Sequence, residues 1–271
     1  MEQITTQEFN DLVQFIKKNY GINLSQKRTL VVGRLHNYIT QSGFDSFSEY
    51  FQHVVRDSSG KMGITLVNKL TTNHTYFLRE PKHFEFLEQT VLPHFAKTEG
   101  QTKDLRLWSA GCSTGEEPYT LAMVIDTYFG AEKWRWDTKI LATDISTAVL
   151  EKAGQGVYPR SQMDTLSGNW QKKYFRNIDD ESCVINEKIR QEVIFRRFNL
   201  MNEVFPFKKK FHIIFCRNVM IYFDAKTRRD LINRFYEHTE PGGYLFIGHS
   251  ESVNRQESKY EFIAPAVYRK E

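Results

Sequence analysis

Apolar residues recur three and four positions apart through the N-terminal quarter of the chain, which is the spacing of one buried helix face. Phe9, Leu12, Val13 and Ile16 follow Thr5 and Glu8, the two ends of a capping-box signature, and Gly21 can close that helix. Leu30, Val31, Leu35, Tyr38 and Ile39 predict a second helix that stops near Gly43. Ser46 and Glu49 form another capping box, with Tyr50, Phe51, Val54 and Val55 behind it; Ile64, Val67 and Leu70 predict a fourth helix. No strand is predicted before residue 100.

Beyond that point the pattern changes to short apolar runs alternating with helical stretches. Strands are predicted at residues 105–110, 139–143, 193–198, 211–216, 244–248 and 266–269. Helical spacing carries Tyr119, Leu121, Ala122, Val124, Ile125 and Tyr128 after the first strand, and Leu231, Ile232, Phe235 and Tyr236 behind an Asp224 cap. Ser146 starts another helix, and Glu240-Pro241-Gly242-Gly243 reads as a turn. Such alternation implies a mostly parallel sheet with helices on both faces. The expected layout is an all-α domain over residues 1–75, a connecting helix over 76–98 and a doubly wound α/β domain over 99–271. A less regular stretch around 155–192 is read as an inserted subdomain.

Totals narrow the class without choosing a function. The chain has 271 residues, 40% of them apolar and 26% charged, and a net charge of +4, too mild to argue for nucleic acid. No apolar run reaches bilayer length, and the start Met1-Glu2-Gln3 lacks signal-peptide features, so neither membrane insertion nor export is expected. Cys112, Cys183 and Cys216 are few and widely separated, which disfavours a disulfide framework and structural zinc and suits reduced thiols in a cytoplasmic protein. No metal ligands are assigned.

The informative segment is Trp108-Ser109-Ala110-Gly111-Cys112-Ser113-Thr114-Gly115-Glu116-Glu117-Pro118. Ligands of open α/β sheets bind beyond the carboxyl ends of strands, where small residues let backbone approach closely. A phosphate site needs free N–H groups and positive potential at the helix start. Glu116 and Glu117 stand there instead, which suits a cationic ligand such as S-adenosylmethionine, with its ammonium and sulfonium. Glu116 reads as a complement to the helix dipole and Glu117 as functional. Asp144, ending the second strand, is placed either to accept hydrogen bonds from ribose hydroxyls or to cap the next helix. The turn also fits G-x-S-x-G, the nucleophile elbow of α/β-hydrolases, with Ser113 as nucleophile and His249 downstream. First-turn glutamates would oppose a developing oxyanion, so the hydrolase is the alternative reading. A non-catalytic nucleoside-binding module is a third.

Five segments together resemble the chemotaxis receptor methyltransferases of the CheR type. They are Thr72-Asn73-His74-Thr75-Tyr76-Phe77-Leu78-Arg79-Glu80, the turn just described, Ala142-Thr143-Asp144-Ile145, Phe215-Cys216-Arg217-Asn218-Val219-Met220-Ile221-Tyr222-Phe223-Asp224, and Gly248-His249-Ser250-Glu251. The resemblance implies a Rossmann-like S-adenosylmethionine-dependent methyltransferase domain preceded by a small all-α domain. It implies an activity that forms glutamate methyl esters on chemotaxis receptors. By the same resemblance the cofactor contacts are Asn73, Thr75, Arg79, Glu117, Asp144, Asn199, Leu200, Arg217 and Asn218, with Tyr222 near the transferred methyl. Arg79 and Tyr222 are the catalytic candidates; the alternatives are a surface ion pair of Arg79 with Glu80 and a core position for Tyr222 ahead of the Asp224 cap. The expected partner is the cytoplasmic helical bundle of methyl-accepting receptors. Some members of the family grip a receptor pentapeptide through a glycine-rich loop. The matching stretch here, Arg176-Asn177-Ile178-Asp179-Asp180-Glu181, has no glycine, so direct recognition of the bundle is expected rather than tethering. An acid-free stretch from Gln14 to Phe44 carries Lys17, Lys18, Lys27, Arg28 and Arg34, which reads either as a basic face able to steer an acidic partner or as plain solvated surface.

Overall fold

The computed structural model describes residues 4–72, 74–254 and 256–271. The chain separates into two compact units: a helical one, built from residues up to 72 with Asn199–Glu203 and Tyr222–Arg228, and an α/β one built from the remainder.

In the helical unit the expected caps form. Thr5 accepts the Glu8 N–H at 3.2 Å and Glu8 accepts the Thr5 N–H at 2.7 Å, so helix α1 (Thr6–Tyr20) starts with two of its orphan donors satisfied. It ends at Gly21, whose φ of 74° is cheap only for glycine. A Cβ there would also lie 2.4 Å from the Met201 sulfur, so the close approach needs the missing side chain. Helices α2 (Arg28–Gln41), α3 (Phe47–Arg56) and α4 (Lys61–Leu70) complete the unit. At α3 the cap is half a box: Ser46 accepts the Glu49 N–H, but the Glu49 carboxylate turns back to the Asp45 N–H. The apolar faces meet around Leu12, Ile16, Val31, Leu35, Ile39 and Leu66, all fully buried.

The α/β unit opens with α5 (Lys82–Phe86) and α6 (Leu92–Thr98), joined through one π-helical turn, Leu87–Val91. Pro93 has no N–H to give the turn before it, and the Leu92 N–H reaches back to the Leu87 carbonyl instead. Then come β1 (Leu107–Ala110), α7 (Glu116–Phe129), β2 (Ile140–Asp144), α8 (Thr147–Gln155), β3 (Val157–Pro159), α9 (Gly168–Tyr174), β4 (Phe175–Asn177), β5 (Ser182–Ile185) and α10 (Glu187–Arg190). The chain continues through β6 (Val193–Arg197), β7 (Phe211–Cys216), α11 (Ala225–Glu237), β8 (Thr239–Ile247), β9 (Glu261–Ala264) and β10 (Val267–Arg269). The main sheet runs β6-β2-β1-β7-β8-β10-β9. Its first five strands are parallel, and β10 and β9 are antiparallel additions.

Two strand expectations change. The Pro241-Gly242-Gly243 stretch is no turn; it lies inside β8 as a bulge, where Phe211 faces Thr239 and Ile213 already faces Tyr244. The Gly242 N–H and Gly243 carbonyl then pair with Lys270, so the irregular backbone stays satisfied. Strand β9, rich in exposed residues, has no alternation to betray it. Between β2 and β6, β3, β5 and β4 make a small antiparallel sheet of their own.

The core of the α/β unit holds Phe84, Phe215 and Phe246, with the last two stacked at 4.3 Å. Trp108 is fully buried among Phe198, Phe205, Phe207, Phe211 and Phe235, and its indole N–H is satisfied by the Thr143 hydroxyl at 2.9 Å. All three cysteines are buried, free thiols. Among the described residues no helix is long and apolar enough to cross a membrane.

Candidate cofactor site

The carboxyl ends of β1 and β7 carry loops with unusual backbone. Non-glycine residues with positive φ include Ser113 after β1, Asn218 after β7, and Leu78 and Glu80 in the segment ahead of α5. Such conformations cost energy and persist where the surroundings impose them. Gly111 and Gly115 bracket the first loop at φ of 89° and 96°. A Cβ on Gly111 would strike the Val219 side chain at 2.5 Å, which brings the loops after β1 and β7 into direct contact.

At the centre lies Arg217, almost completely buried. Its Nη1 donates to Glu117 at 3.2 Å, and its Nη2 donates to Glu80 at 3.1 Å and to the Arg79 carbonyl. The guanidinium also sits over the Phe84 ring at 5.3 Å. Glu117 accepts the Ser109 hydroxyl at 2.7 Å. Glu80 further accepts from the Asn218 side-chain amide and the His249 backbone N–H, each at 3.3 Å. Two carboxylates therefore share one guanidinium. Burial pushes the Glu117 carboxyl up, opposed by Arg217. Glu80 is held below its ordinary value: burial acts upward, but the charge and hydrogen bond of Arg217 prevail.

Asp144 ends β2 and accepts the Ser113 N–H at 2.9 Å and the Ser146 N–H at 3.0 Å. The capping expectation does not hold, since Ser146 is the N-cap of α8; a carboxylate offers about four acceptor positions, so Asp144 keeps room for a ligand beside these N–H groups. Burial raises its pKa, with those N–H groups acting in the opposite sense. Glu116 points elsewhere: it is buried and accepts the Thr114 hydroxyl, in keeping with a structural role at the helix start.

Arg79 is placed differently from its expected alternatives. Glu80 pairs with Arg217, so the surface pair between Arg79 and Glu80 does not form; the Arg79 guanidinium donates to the His74 carbonyl at 2.8 Å. Thr75 is half-buried in the same segment, and Asn73 lies outside the described residues. Asn199, Leu200 and Tyr222 belong to the helical unit. There Asn199 donates to the Asn19 carbonyl and accepts the Met201 N–H, Leu200 is buried, and the Tyr222 hydroxyl lies 3.3 Å from both the N–H and the carbonyl of Thr72.

Three participants carried no role in the sequence. Glu80 was visible only as a neighbour of Arg79. His83 is buried, 3.4 Å from Glu80, and its pKa falls to about 3 through burial and the nearby Arg217 charge. Glu251 is buried and receives backbone N–H groups. Glu80, His83 and His249 each bring a ligand atom within 4.8 Å of the others. Both Glu80 oxygens are already taken and Arg217 lies against the same carboxylate, so a cation would meet a positive charge there.

The hydrolase geometry fares poorly. Ser113 gives its N–H to Asp144, while the His249 ring packs edge-on against His83 at a centroid distance of 4.6 Å. Strand β7 separates β1 from β8, which puts the two residues on loops about 10 Å apart at the strand ends.

Comparison with known proteins agrees. Residues 73–268 match the family model described as CheR methyltransferase, SAM binding domain, and residues 7–71 match CheR methyltransferase, all-alpha domain. A chemotaxis protein methyltransferase of Borreliella burgdorferi is 43% identical over 98% of this chain and 95% of its own length. Chemotaxis protein methyltransferase 1 of Pseudomonas aeruginosa is 37% identical, covering 92% of this chain and 91% of that protein. The Salmonella typhimurium chemotaxis protein methyltransferase is 36% identical, covering 96% and 88%. These matches overturn the readings of Ser113 and His249 as a hydrolase pair and of the chain as a non-catalytic module.

Proposed function

The chain belongs to the CheR methyltransferase family, whose S-adenosylmethionine-binding domain it carries, and we propose that it forms methyl esters on glutamate side chains of chemotaxis receptors. The observation that supports this best is the buried cluster of Glu80, Arg217 and Glu117, two carboxylates around one guanidinium at the carboxyl ends of parallel strands. Its excess negative charge suits a ligand bearing an ammonium and a sulfonium, and it would repel a phosphate. Asp144, with an acceptor position left beyond the N–H groups of Ser113, Ile145 and Ser146, suits the ribose hydroxyls.

When bound, S-adenosylmethionine supplies an electrophilic methyl group on positively charged sulfur. In this reading Glu117 accepts from the ammonium and Asp144 from the ribose. Asn218, with Thr75, Asn199 and Leu200, would complete the contacts. Arg79 turns from the His74 carbonyl to a carboxylate, which a guanidinium can hold through two parallel hydrogen bonds. Tyr222 places its ring beside the positive sulfur. A glutamate carboxylate is ionised near neutral pH, so no protein base is needed to activate it. Catalysis then rests on alignment and exclusion of water, because attacking and leaving groups lose their charges toward the transition state.

The proposed partner is the cytoplasmic helical bundle of a receptor, met by the basic stretch of α1 and α2 without a pentapeptide tether. The decisive experiment uses receptor-containing membranes and a labelled methyl donor. Base-labile label on receptor glutamates supports the proposal; label that survives base, or none, would overturn it. Equal labelling of receptors with and without a C-terminal pentapeptide is expected. Calorimetry should detect S-adenosylhomocysteine binding to the protein alone.

A further inference from the structure

Glu251 stands outside the cluster just described, yet it is as buried as Arg217, each residue being 6% exposed. Its Oε2 accepts the N–H of Gly248 at 2.6 Å and of Asn218 at 2.9 Å. Its Oε1 accepts the Ile221 N–H at 3.1 Å, and the Met220 N–H adds a fourth backbone donor. A carboxylate enclosed by converging N–H groups is an internal anion site of the kind that backbone nests form for bound anions. Here the anion is the protein's own side chain, and three of the four donors come from the turn after β7.

That turn needs an imposed shape. Asn218 sits at φ 59°, a conformation a non-glycine residue rarely keeps unaided. With its N–H fixed by Glu251, the Asn218 side chain reaches Glu80, which also holds Arg217. Gly248 completes the fit. A Cβ there would lie 2.5 Å from the Asn218 amide nitrogen and 2.9 Å from the Glu251 oxygen, so the loop after β8 closes on this turn only without a side chain.

We infer that Glu251 is a positioning residue for cofactor binding, one that acts through the backbone of the Arg217–Ile221 turn and touches no substrate itself. The inference rests on the reading that Asn218 and Arg217 contact the cofactor, and the test separates the two. Glu251→Gln keeps the size but turns an N–H donor toward backbone donors; Glu251→Asp keeps the charge but falls short of the four N–H groups. Asn218→Gly keeps the left-handed turn and removes only the side chain. S-adenosylhomocysteine affinity is measured by calorimetry, and KM for S-adenosylmethionine and for receptor is measured in the transfer assay.

Glu251→Gln should weaken the cofactor on the order of tenfold, as loss of one or two hydrogen bonds to a charged acceptor does. Glu251→Asp should fall between it and the wild type, with KM for receptor unchanged in both. If Asn218→Gly binds like wild type, the reading of the site fails. If Asn218→Gly is weakened while both Glu251 variants bind like wild type, or raise both KM values alike, the inference about Glu251 alone is overturned. Should Glu251→Gln not fold, Glu251→Asp decides by the same criteria.

Discussion

In the helical unit the buried side chains are apolar, from Leu12 and Ile16 through Leu35 and Ile39 to Leu66. In the α/β unit buried aliphatic and aromatic groups are joined by Glu116, Arg217, Glu251, His83 and Asp126. Among the described residues, the buried polar and charged positions all fall in that second unit. Taking an ion out of water costs several kcal/mol even after relaxation, so a fold that only needed stability would place apolar groups there. The helical unit is held by complementary apolar faces. The α/β unit keeps its buried charges by partnering them: Arg217 with Glu80 and Glu117, Asp126 with Lys173 and Lys188, and Glu251 with backbone N–H groups.

The comparison can be broken at either side. Arg217→Met should give the largest effect, because it leaves Glu80 and Glu117 buried without their cation. A loss of about 3–5 kcal/mol in unfolding free energy, seen as a lower denaturant midpoint, is expected, with cofactor binding abolished. An unchanged midpoint would mean the cluster is not electrostatically coupled. Leu35→Ala, in the helical unit, should lose about 3 kcal/mol by leaving a cavity and leave S-adenosylhomocysteine affinity intact by calorimetry. Tyr158→Phe is the finer probe. The Tyr158 hydroxyl, from the inserted sheet, donates to the Thr114 carbonyl at 2.7 Å in the loop after β1. Removing it should cost about 1–2 kcal/mol and weaken cofactor binding severalfold.

Titration sharpens the contrast below neutral pH. His83 falls from an ordinary 6.5 to about 3 in the folded protein, mainly by burial. The unfolded chain binds its proton first, so this residue lowers stability progressively as pH drops below 6.5 and stops contributing a slope near 3. In the helical unit Asp224 falls from 3.8 to about 2, held by Lys17 at 2.6 Å and by the Thr227 N–H. Its contribution is complete above 3.8 and is lost as pH falls through about 2. Read from denaturation curves, the stability difference from wild type should vary with pH between about 6.5 and 3 for His83→Gln and between about 3.8 and 2 for Asp224→Asn, and be constant outside those ranges. Coincident windows would contradict the assignments.

Much of the architecture was legible because it is local. Thr5 and Glu8 cap α1, and apolar periodicity marks α7 and α11, through interactions spanning a single turn. Strands β1, β2 and β7 show as short apolar runs because parallel strands are buried on both faces. Strand β9 was not legible because its exposed residues carry no alternation, and the bulge in β8 was not because it depends on pairing with Lys270, far along the chain.

The candidate site divides in the same way. Residue type and order alone mark Glu117, Asp144, Arg217 and Asn218 as groups at strand ends, because topology carries such positions to the ligand side of a parallel sheet. Which carboxylate pairs with which cation is another matter. Arg79 stands next to Glu80 in sequence, yet Glu80 is claimed by Arg217, and Glu251 is assigned its backbone donors by a turn 33 positions away. Partner choice among charges depends on burial and on distances of a few ångströms. Only the folded chain sets those quantities.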